Sequence, residues 1–440
     1  MWSPRIGFNW DLSGGGEKRS QLRGGVGYFT GRTPYVWLSN QYGGTGVDTT
    51  SLSTSNASAN RIPFSPDPNN QARTGVAATP SVSLIDPDYK FPAVVRTNLG
   101  YDRDLGIYGL IGTAEVIYSK NIEEIAYSNI NYIPSGTLLP DGRTVYKKKD
   151  AAFQDVILLS NTSLGKSWST AFKIERPFMN GWNFSGSYLY GEADSINDGT
   201  ASTAGSNWAN NPAGYTLDPT LSRSSYDPGS RVNFTAVMPI PLGHGISSTV
   251  SLFYNGQSGR PYSVQFNGNP NDDNRTNNDI IYVPQSDCSD VILINGTCAQ
   301  LNAFIDGDSA SKNYRGQIAP RNGGRAPWYN QLDLRWAVGL PAVGRARVDF
   351  TMDVFNFLNL LNSDWGWQYY PLFPSSSANG LLGYSTATGG SAIGVGGVDP
   401  ATNKERINLA TITSPNFLGT FARDDTRSRW QAQWGLRVRF

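Results

Sequence analysis

The chain has 440 residues with 36 Lys and Arg against 35 Asp and Glu, so a formal net charge of +1 gives no electrostatic case for binding nucleic acid. Mean hydropathy is −0.37 and no run approaches ~18 consecutive apolar residues, which excludes a membrane-spanning helix. Only 16% of residues are charged, whereas 12% are aromatic and 48 are Gly, a composition typical of strands joined by turns.

Residues 1–4 lead straight into a strand pattern without a secretory signal, so we expect either a cytosolic chain or an N-terminus that lies upstream. From there, apolar side chains alternate with polar ones, beginning with Ile6, Phe8 and Trp10. Successive side chains of a strand point to opposite faces, so each such segment has one apolar face. The pattern predicts eleven strands, which cover or lie within residues 6–12, 22–28, 94–101, 108–118, 153–176, 182–190, 232–238, 250–254, 332–338, 348–354 and 429–440.

The last segment, 429–440, alternates most strongly. Its even positions are all apolar, and three of its odd positions are Arg. A strand with lipid outside and a wet lumen inside suits both faces, although an amphipathic strand of a soluble sandwich is the alternative. The same parity in neighbouring strands predicts that one set of residues faces lipid, namely Leu334, Trp336, Phe350 and Leu436. It predicts that Arg335, Arg347 and Arg437 face the interior.

The connections between the predicted strands alternate between short and long. Short turns follow the first, third, fifth, seventh and ninth strands. The long connections, which we expect to be structureless loops, are rich in Asn, Gly, Ser, Thr and Asp and span about 30–93, 126–152, 194–228, 258–327 and 358–427. Outer-membrane barrels have short periplasmic turns and long extracellular loops, so the spacing predicts an all-β antiparallel transmembrane barrel.

Several motifs in this order resemble the barrel of Oar-like TonB-dependent receptors. They are RGGVGYFTGRTPYVWLSNQYGGTG (23–46), GYDRDLG (100–106), LLSNTSLGKSW (158–168), NGWNFSGSYLYGEA (180–193), SGRPYSV (258–264), NNDIIYVP (277–284), VDFTMDVFNFLN (348–359) and the terminal Phe440. The resemblance implies a barrel of 22 strands, an N-terminal plug and a short box that engages TonB. Residues 1–440 lack the plug, the box and about half of the strands, so we expect them to be the C-terminal part of such a barrel.

The resemblance also implies partners. The complete protein would contact outer-membrane lipid, engage the TonB complex through its N-terminal part, and use its C-terminal strand as a signal to the barrel assembly machinery. Eleven strands cannot close regularly, because the first and last strands of such a barrel must run in opposite directions. We therefore expect an open, strongly curved half-barrel with no ladder between its first and last strands.

The sequence offers little catalytic chemistry. The only histidine, His244, lies in a short Gly-His-Gly turn, which leaves no histidine-based triad or multi-histidine metal site. Acidic residues are scattered, so no catalytic carboxylate pair is assigned. We expect the protein not to be an enzyme.

Two features stand out in the 258–327 connection. Cys288 and Cys298 are the only cysteines, and their short spacing predicts a disulfide in an exported protein. Just upstream, the segment 272–279 is dense in hard oxygen ligands, and Asp273, Asn277 and Asp279 suit a structural calcium ion. The glycine and the distal Glu of an EF-hand loop are missing, so a solvated polar loop is the alternative.

The segment 365–373 carries five aromatic residues in nine positions. Exposed aromatic clusters mark interaction sites, so we predict that Trp365, Trp367, Tyr369 and Tyr370 contact an extracellular substrate. An aromatic girdle or a small cluster that packs the loop is the alternative.

The sequence as a whole therefore predicts energy-coupled uptake of an extracellular ligand across the bacterial outer membrane. A barrel whose loops serve adhesion or surface assembly, and a soluble β-rich binding module, remain as alternatives.

Overall fold

The computed structural model describes residues 2–16, 18–48, 52–53, 64–71, 76–179, 181–243, 245–276, 278–341, 346–371, 382–384, 397–399, 401–414 and 419–440. His244 lies outside the described residues. In the described part, eleven strands follow one another across a single sheet in chain order, and every neighbouring pair is antiparallel. They are β1 (Arg5–Asp11), β2 (Ser20–Thr30), β3 (Ala93–Asp104), β4 (Ile111–Asn129), β5 (Lys166–Met179), β6 (Trp182–Ser195), β7 (Gly229–Pro239), β8 (Ser247–Gln257), β9 (Tyr329–Gly339), β10 (Arg347–Phe355) and β11 (Gln431–Arg439).

The predicted count of eleven strands and the antiparallel class are confirmed. Two predicted segments have wrong boundaries. The strand predicted over 108–118 begins at Ile111 and continues to Asn129, and the strand predicted over 153–176 is interrupted at residues 163–165. Its first part, Val156–Thr162, pairs with β4 and also with the short strand Val82–Ile85, whereas its second part is β5. No ladder joins β1 to β11 in the described part of the chain, so both strands are edges of the sheet, as expected for an open barrel.

The register brings the apolar residues of neighbouring strands onto one face. Leu334 lies between Leu252 and Val354, and the adjacent Arg335 lies between Ser251 and Asp353 on the other face. The even-numbered residues are apolar in most strands. In β3 the parity changes by one residue, so Leu99 shares the apolar face with Val116 of β4.

The apolar face is not a closed core. Leu436 is 71% exposed, and Leu334, Trp336 and Phe350 are only half-buried. The opposite face carries cross-strand ion pairs, such as Arg335 with Asp353 at 3.4 Å and Arg23 with Asp102 at 2.9 Å. A sheet with one exposed oily face and one charged face fits a membrane barrel, and it does not fit a globular sandwich with a buried core.

The two ends of the sheet differ in their connections. One end carries the short connections, which join β1 to β2, β3 to β4, β5 to β6, β7 to β8 and β9 to β10. The other end carries the long connections, which the sequence predicted to be structureless loops. That expectation was wrong, because they contain helices and short strands that pack together. The helices are α1 (Tyr35–Gly43), α2 (Ala204–Ala209), α3 (Cys298–Gly307), α4 (Phe357–Leu361) and α5 (Asp425–Ser428).

The eleven strands β1–β11 form the barrel wall. Other, shorter strands pair within these connections or extend the sheet. They are Leu52–Ser53, Val76–Ala77, Val82–Ile85, Tyr132–Leu138, Thr144–Lys148, Val156–Thr162, Ser222–Arg223, Pro261–Tyr262, Phe266–Asn267, Tyr282–Val283, Val291–Ile294, Gln317–Ile318, Gly324–Arg325, Tyr369–Pro371, Leu382–Tyr384, Val398–Asp399, Lys404–Asn408 and Phe421–Arg423. Some of these pairs are parallel, for example Val291–Ile294 with Lys404–Asn408. Among the described residues, no helix is long and apolar enough to span a bilayer.

The facing of the strands can be tested by substitution. We expect Leu334→Arg to reduce the free energy of unfolding by about 2–4 kcal/mol, because it places a charge on the lipid side near the middle of the strand. The matched control is Gln433→Arg on the polar face, where the new cation lies opposite Asp353. Stability would be measured by denaturant unfolding of the protein in lipid vesicles, and equal losses for the two variants would contradict the assignment of the faces.

Candidate functional site

The described parts of the long connections pack against one another, and we call them the loop body (the described residues within 31–92, 130–165, 196–228, 258–328 and 356–430). A first hydrophobic cluster joins the fourth and fifth connections through residues such as Phe266, Leu301, Ile305, Ile407 and Leu409, each no more than 1% exposed. A second cluster joins the first three connections to the end of β4. Its members are Tyr127, Ile157, Leu159, Ala204 and Trp208, with Trp37 and Leu38 packed against them. The loop body therefore presents a preformed surface.

A buried ion network lies where three connections meet. Arg143 is fully buried and contacts Asp279 at 2.8 Å and Asp141 at 3.2 Å. Its guanidinium also donates to the backbone carbonyl of Ile280 at 2.6 Å. Burial opposes the charged form of this arginine, but the attraction of Asp141, Asp279 and Glu405 outweighs burial and raises its pKa. Arg143 thus stays a cation and holds these connections together.

Glu405 is a third carboxylate of this network. Its carboxylate accepts a hydrogen bond from the Asp141 backbone N–H at 3.3 Å, and its Oε2 has no hydrogen-bond partner. Burial raises the pKa of this carboxyl to about 8, and the negative charge of Asp141 adds to the rise. Glu405 therefore gains or loses a proton within the pH range in which bacteria grow.

The predicted calcium residues fall in the same region. Asp273 and Asp279 are both fully buried, which contradicts the solvated-loop alternative for these two side chains. Asn277 lies outside the described residues. In the described part of the chain, no three His, Cys, Asp or Glu side chains converge as metal ligands. Any cation held here must therefore draw part of its coordination from amide or backbone oxygens.

The aromatic residues predicted to bind substrate divide into two environments. Trp365, Trp367 and Tyr369 line a recess of about 380 Å³, together with Trp328 and Tyr329 at the start of β9. Arg423 lies over the Trp367 ring, 4.7 Å from its centroid. Tyr370 does not line this recess and is 45% exposed.

The recess lies where the barrel wall meets the loop body. Trp328 is 42% exposed and is even-numbered, like Leu332 and Leu334 of the apolar face. Tyr254, which lies opposite Leu332, donates through its hydroxyl to Asn330 at 2.6 Å. Barrels carry girdles of aromatic residues at this level, with the ring in the interface and the polar atom toward water. The arrangement supports the aromatic-girdle alternative for part of this cluster and leaves Trp365 and Trp367 on its open side.

Cys288 and Cys298 are bonded to each other, with Cα atoms 5.9 Å apart. The bridge closes the chain at the start of α3, beside the first hydrophobic cluster. Thr297 caps this helix by accepting a hydrogen bond from the Gln300 backbone N–H. The bridge and the cap together define where the helix begins.

Sequence reasoning missed Arg143, Asp141, Glu405 and Trp328. Asp141-Gly142-Arg143 reads as an ordinary polar turn, and Asp279, which also pairs with Arg143, lies 136 residues away in sequence. A buried arginine among acids has no local signature, so only the packing of the connections reveals it. Trp328 continues the alternation of β9, and that parity was a usable signal.

Thiol titration tests the disulfide. Protein that is unfolded without a reducing agent should show no titratable thiol, and two should appear after reduction. We expect Cys288→Ser with Cys298→Ser to lower the stability of the loop body by about 2–3 kcal/mol, because a short closed loop restricts the unfolded chain. Two reactive thiols in the unreduced protein would contradict the pairing.

Thermal unfolding at several pH values tests Glu405. In the folded chain the group keeps its proton up to about pH 8, whereas its ordinary pKa is 4.5. Folding then takes up a proton between these values, so stability should fall as the pH rises through this window. Glu405→Gln removes the ionisation, and its melting temperature relative to wild type should increase from pH 5 to pH 8.5. The control is the exposed Asp88→Asn, and parallel pH profiles for wild type and Glu405→Gln would contradict the assignment.

Three solved structures show a distant similarity to this chain. A mutant of the ferric enterobactin receptor from Pseudomonas aeruginosa matches with a TM-score of 0.39 and 11% identity over 81% of this chain and 35% of its own. The siderophore receptor PirA from Acinetobacter baumannii matches with a TM-score of 0.39 and 11% identity, over 82% of this chain and 37% of its own. The outer membrane transporter YddB from Escherichia coli matches with a TM-score of 0.42 and 12% identity, over 81% of this chain and 37% of its own.

The chain thus spans about a third of the length of these structures. Among proteins of curated function, none matches the sequence. The model of the outer membrane beta barrel domain, in contrast, matches residues 1–389. This match covers most of the strands described above and agrees with their one-sided alternation. The chain belongs to the outer membrane beta-barrel domain family and lies in the bacterial outer membrane.

Proposed function

We propose that this chain is the barrel part of an Oar-like TonB-dependent receptor, which binds an extracellular ligand on the loop body for energy-coupled uptake. The observation that carries the proposal is the loop body itself. Its connections leave one end of the sheet and share two hydrophobic clusters. A surface that is ordered before binding loses little entropy when a ligand binds, which suits a receptor. The family motifs at 23–46 and 348–359 support the same assignment.

Within the loop body, we propose that the ligand contacts the open side of the aromatic recess. Trp365 is 52% exposed, and the guanidinium of Arg423 lies over Trp367. Aromatic rings beside a cation suit a flat or acidic ligand, because they combine stacking with charge. Tyr370 lies outside the recess and would contact a ligand only at its margin.

The edges of the sheet suggest how the chain is completed. β1 and β11 each have one unpaired side in the described part, and unpaired backbone groups are costly in hydrocarbon. We propose that further strands of the same receptor pair with these edges and enclose a plug. The TonB complex would act on that other part of the receptor, and the barrel assembly machinery would recognise β11 with Phe440.

The rival proposal is a barrel whose loop body serves adhesion or surface assembly without transport. A preformed outer surface suits this role equally well, so the two proposals differ in whether a ligand crosses the membrane. In neither case do we propose a reaction, and the absence of enzymatic activity stays a prediction.

An uptake experiment distinguishes the two. Cells that express the full receptor would be given labelled ferric siderophores, cobalamin, oligosaccharides and peptides. We expect at least one class to enter in a manner that requires both the receptor and TonB. Joint Trp365→Ala and Trp367→Ala substitution should weaken binding of that ligand about threefold to tenfold per ring, since an aromatic contact contributes roughly 0.5–1.5 kcal/mol.

The matched control is Trp434→Ala, which removes an exposed aromatic ring on the lipid side of β11. The Trp434→Ala variant should bind the same ligand with the affinity of the wild type. If no ligand class enters and loss of the receptor instead abolishes attachment of cells to surfaces, the transport proposal is wrong.

A further inference from the structure

The segment between the short strands Phe266–Asn267 and Tyr282–Val283 buries an unusual set of polar side chains. Asn269, Asn271, Asp273, Asn278 and Asp279 are each no more than 5% exposed. Asp and Asn are mostly exposed in proteins and are buried only when their polar atoms are paired. The burial therefore requires a partner for each oxygen.

Hydrogen bonds gather this set around Asp273. The backbone N–H of Asp273 donates to Asn269 Oδ1 at 3.1 Å and to Asn271 Oδ1 at 3.2 Å. The Asn278 amide donates to Asp273 Oδ2 at 2.8 Å. Three amide groups and one carboxylate thus lie within a single hydrogen-bonded group, closed to solvent.

Two oxygens of the set lack partners. Asn278 Oδ1 and Asp279 Oδ2 are buried and accept no hydrogen bond. Because the Asn278 nitrogen is bonded to Asp273, its unpaired oxygen lies on the amide group beside that carboxylate. Asp279 uses its other oxygen for Arg143 and keeps Oδ2 free. Buried acceptors without a donor are destabilising unless something positive lies between them.

The charges around the set are also unbalanced. The buried or nearly buried carboxylates are Asp141, Asp155, Asp273, Asp279 and Glu405. The cations among them are Arg143, shared by two carboxylates, and Arg275, which pairs with Asp155 at 2.7 Å. Among the described residues, five buried carboxylates thus lie near only two arginines.

We propose that five side chains of this segment bind a calcium ion, through the Asp273 carboxylate, Asp279 Oδ2 and the amide oxygens of Asn269, Asn271 and Asn278. Calcium takes six to eight oxygen ligands and accepts a mixture of carboxylate, amide, backbone and water oxygens. Two carboxylates also match its charge, whereas a softer metal would need His or Cys, which this set lacks.

The missing glycine of an EF-hand loop does not oppose this binding. Asn274 adopts the left-handed backbone conformation, with φ 66°, and Asp272 does so with φ 59°. Asn and Asp tolerate this conformation better than other side chains do. The chain therefore makes the tight bend without glycine.

Calcium at this position would connect separate connections of the loop body. The Asn271 carbonyl accepts from the Tyr146 N–H, and the Asn271 amide donates to Thr216. Asp279 contacts Arg143 through its other oxygen. An ion on these residues would thus stabilise the second, third and fourth connections at once, at the calcium concentrations found outside cells.

Direct binding tests the proposal. The purified full chain in detergent would be treated with EDTA, dialysed, and titrated with CaCl2 or MgCl2 in equilibrium dialysis. We expect each wild-type chain to bind one calcium ion and to bind magnesium more weakly. Asp273→Asn should weaken calcium binding about tenfold or more. The control is Asp287→Asn, which neutralises an exposed acid of the same connection and should bind calcium as wild type does.

Thermal unfolding of the wild type gives a second measurement that needs no variant. CaCl2 should raise the melting temperature over EDTA, with a smaller rise for Asp273→Asn. The proposal is overturned if wild type binds no calcium up to about 10 mM, well above the Kd of weak extracellular calcium modules. It is equally overturned if Asp273→Asn binds calcium as wild type does.

Discussion

The structure depends on one constraint, which is that backbone N–H and C=O groups within hydrocarbon must find partners in the protein itself. The antiparallel ladder from β1 to β11 meets this constraint for every inner strand. Pairing fixes the register, and the register in turn places Leu252, Leu334 and Val354 side by side on the oily face. The charged pairs of the other face follow from the same ladder, since Arg335 and Asp353 are register partners.

The loop body obeys a different rule, because it lies in water and can form a conventional core. Short parallel and antiparallel pairs, small helices and two apolar clusters replace the long regular ladder. This packing removes several carboxylates around Arg143 from solvent, and the loss of their hydration is unfavourable. Such a centre is stable only when its charges are matched, so it makes the loop body sensitive to protons and, as we propose, to calcium.

These two regions meet at the aromatic recess. Trp328 continues the apolar face of β9, while Trp365 and Trp367 belong to the fifth connection. A ring at the membrane interface anchors the height of the barrel, and a ring in the loop body can contact a ligand. The recess therefore joins an element that holds the barrel in the bilayer to the surface that we propose as the receptor site.

The sequence by itself determined the strands of the barrel wall and the side of the sheet on which their apolar residues lie. A period of two is a local property, so the strands, their apolar faces and the alternation of short turns with long connections were readable from residues such as Leu334 and Arg335. The interruption at residues 163–165 depends on the pairing of Val156–Thr162 with β4 and with Val82–Ile85, which periodicity does not report. The change of parity in β3 depends on pairing with β2 and β4, which periodicity does not report.

Only the tertiary structure determined which side chains meet in the loop body. Arg143 and Asp279 lie 136 residues apart in sequence, and Asp141 lies 264 residues from Glu405, so no window of sequence shows their contact. Oxygen-rich composition indicated Asp273 and Asp279, but their burial depends on the packing of separate connections. Side chains separated by long stretches of chain meet only when hydrophobic clusters draw those connections together, and that free energy belongs to the folded whole.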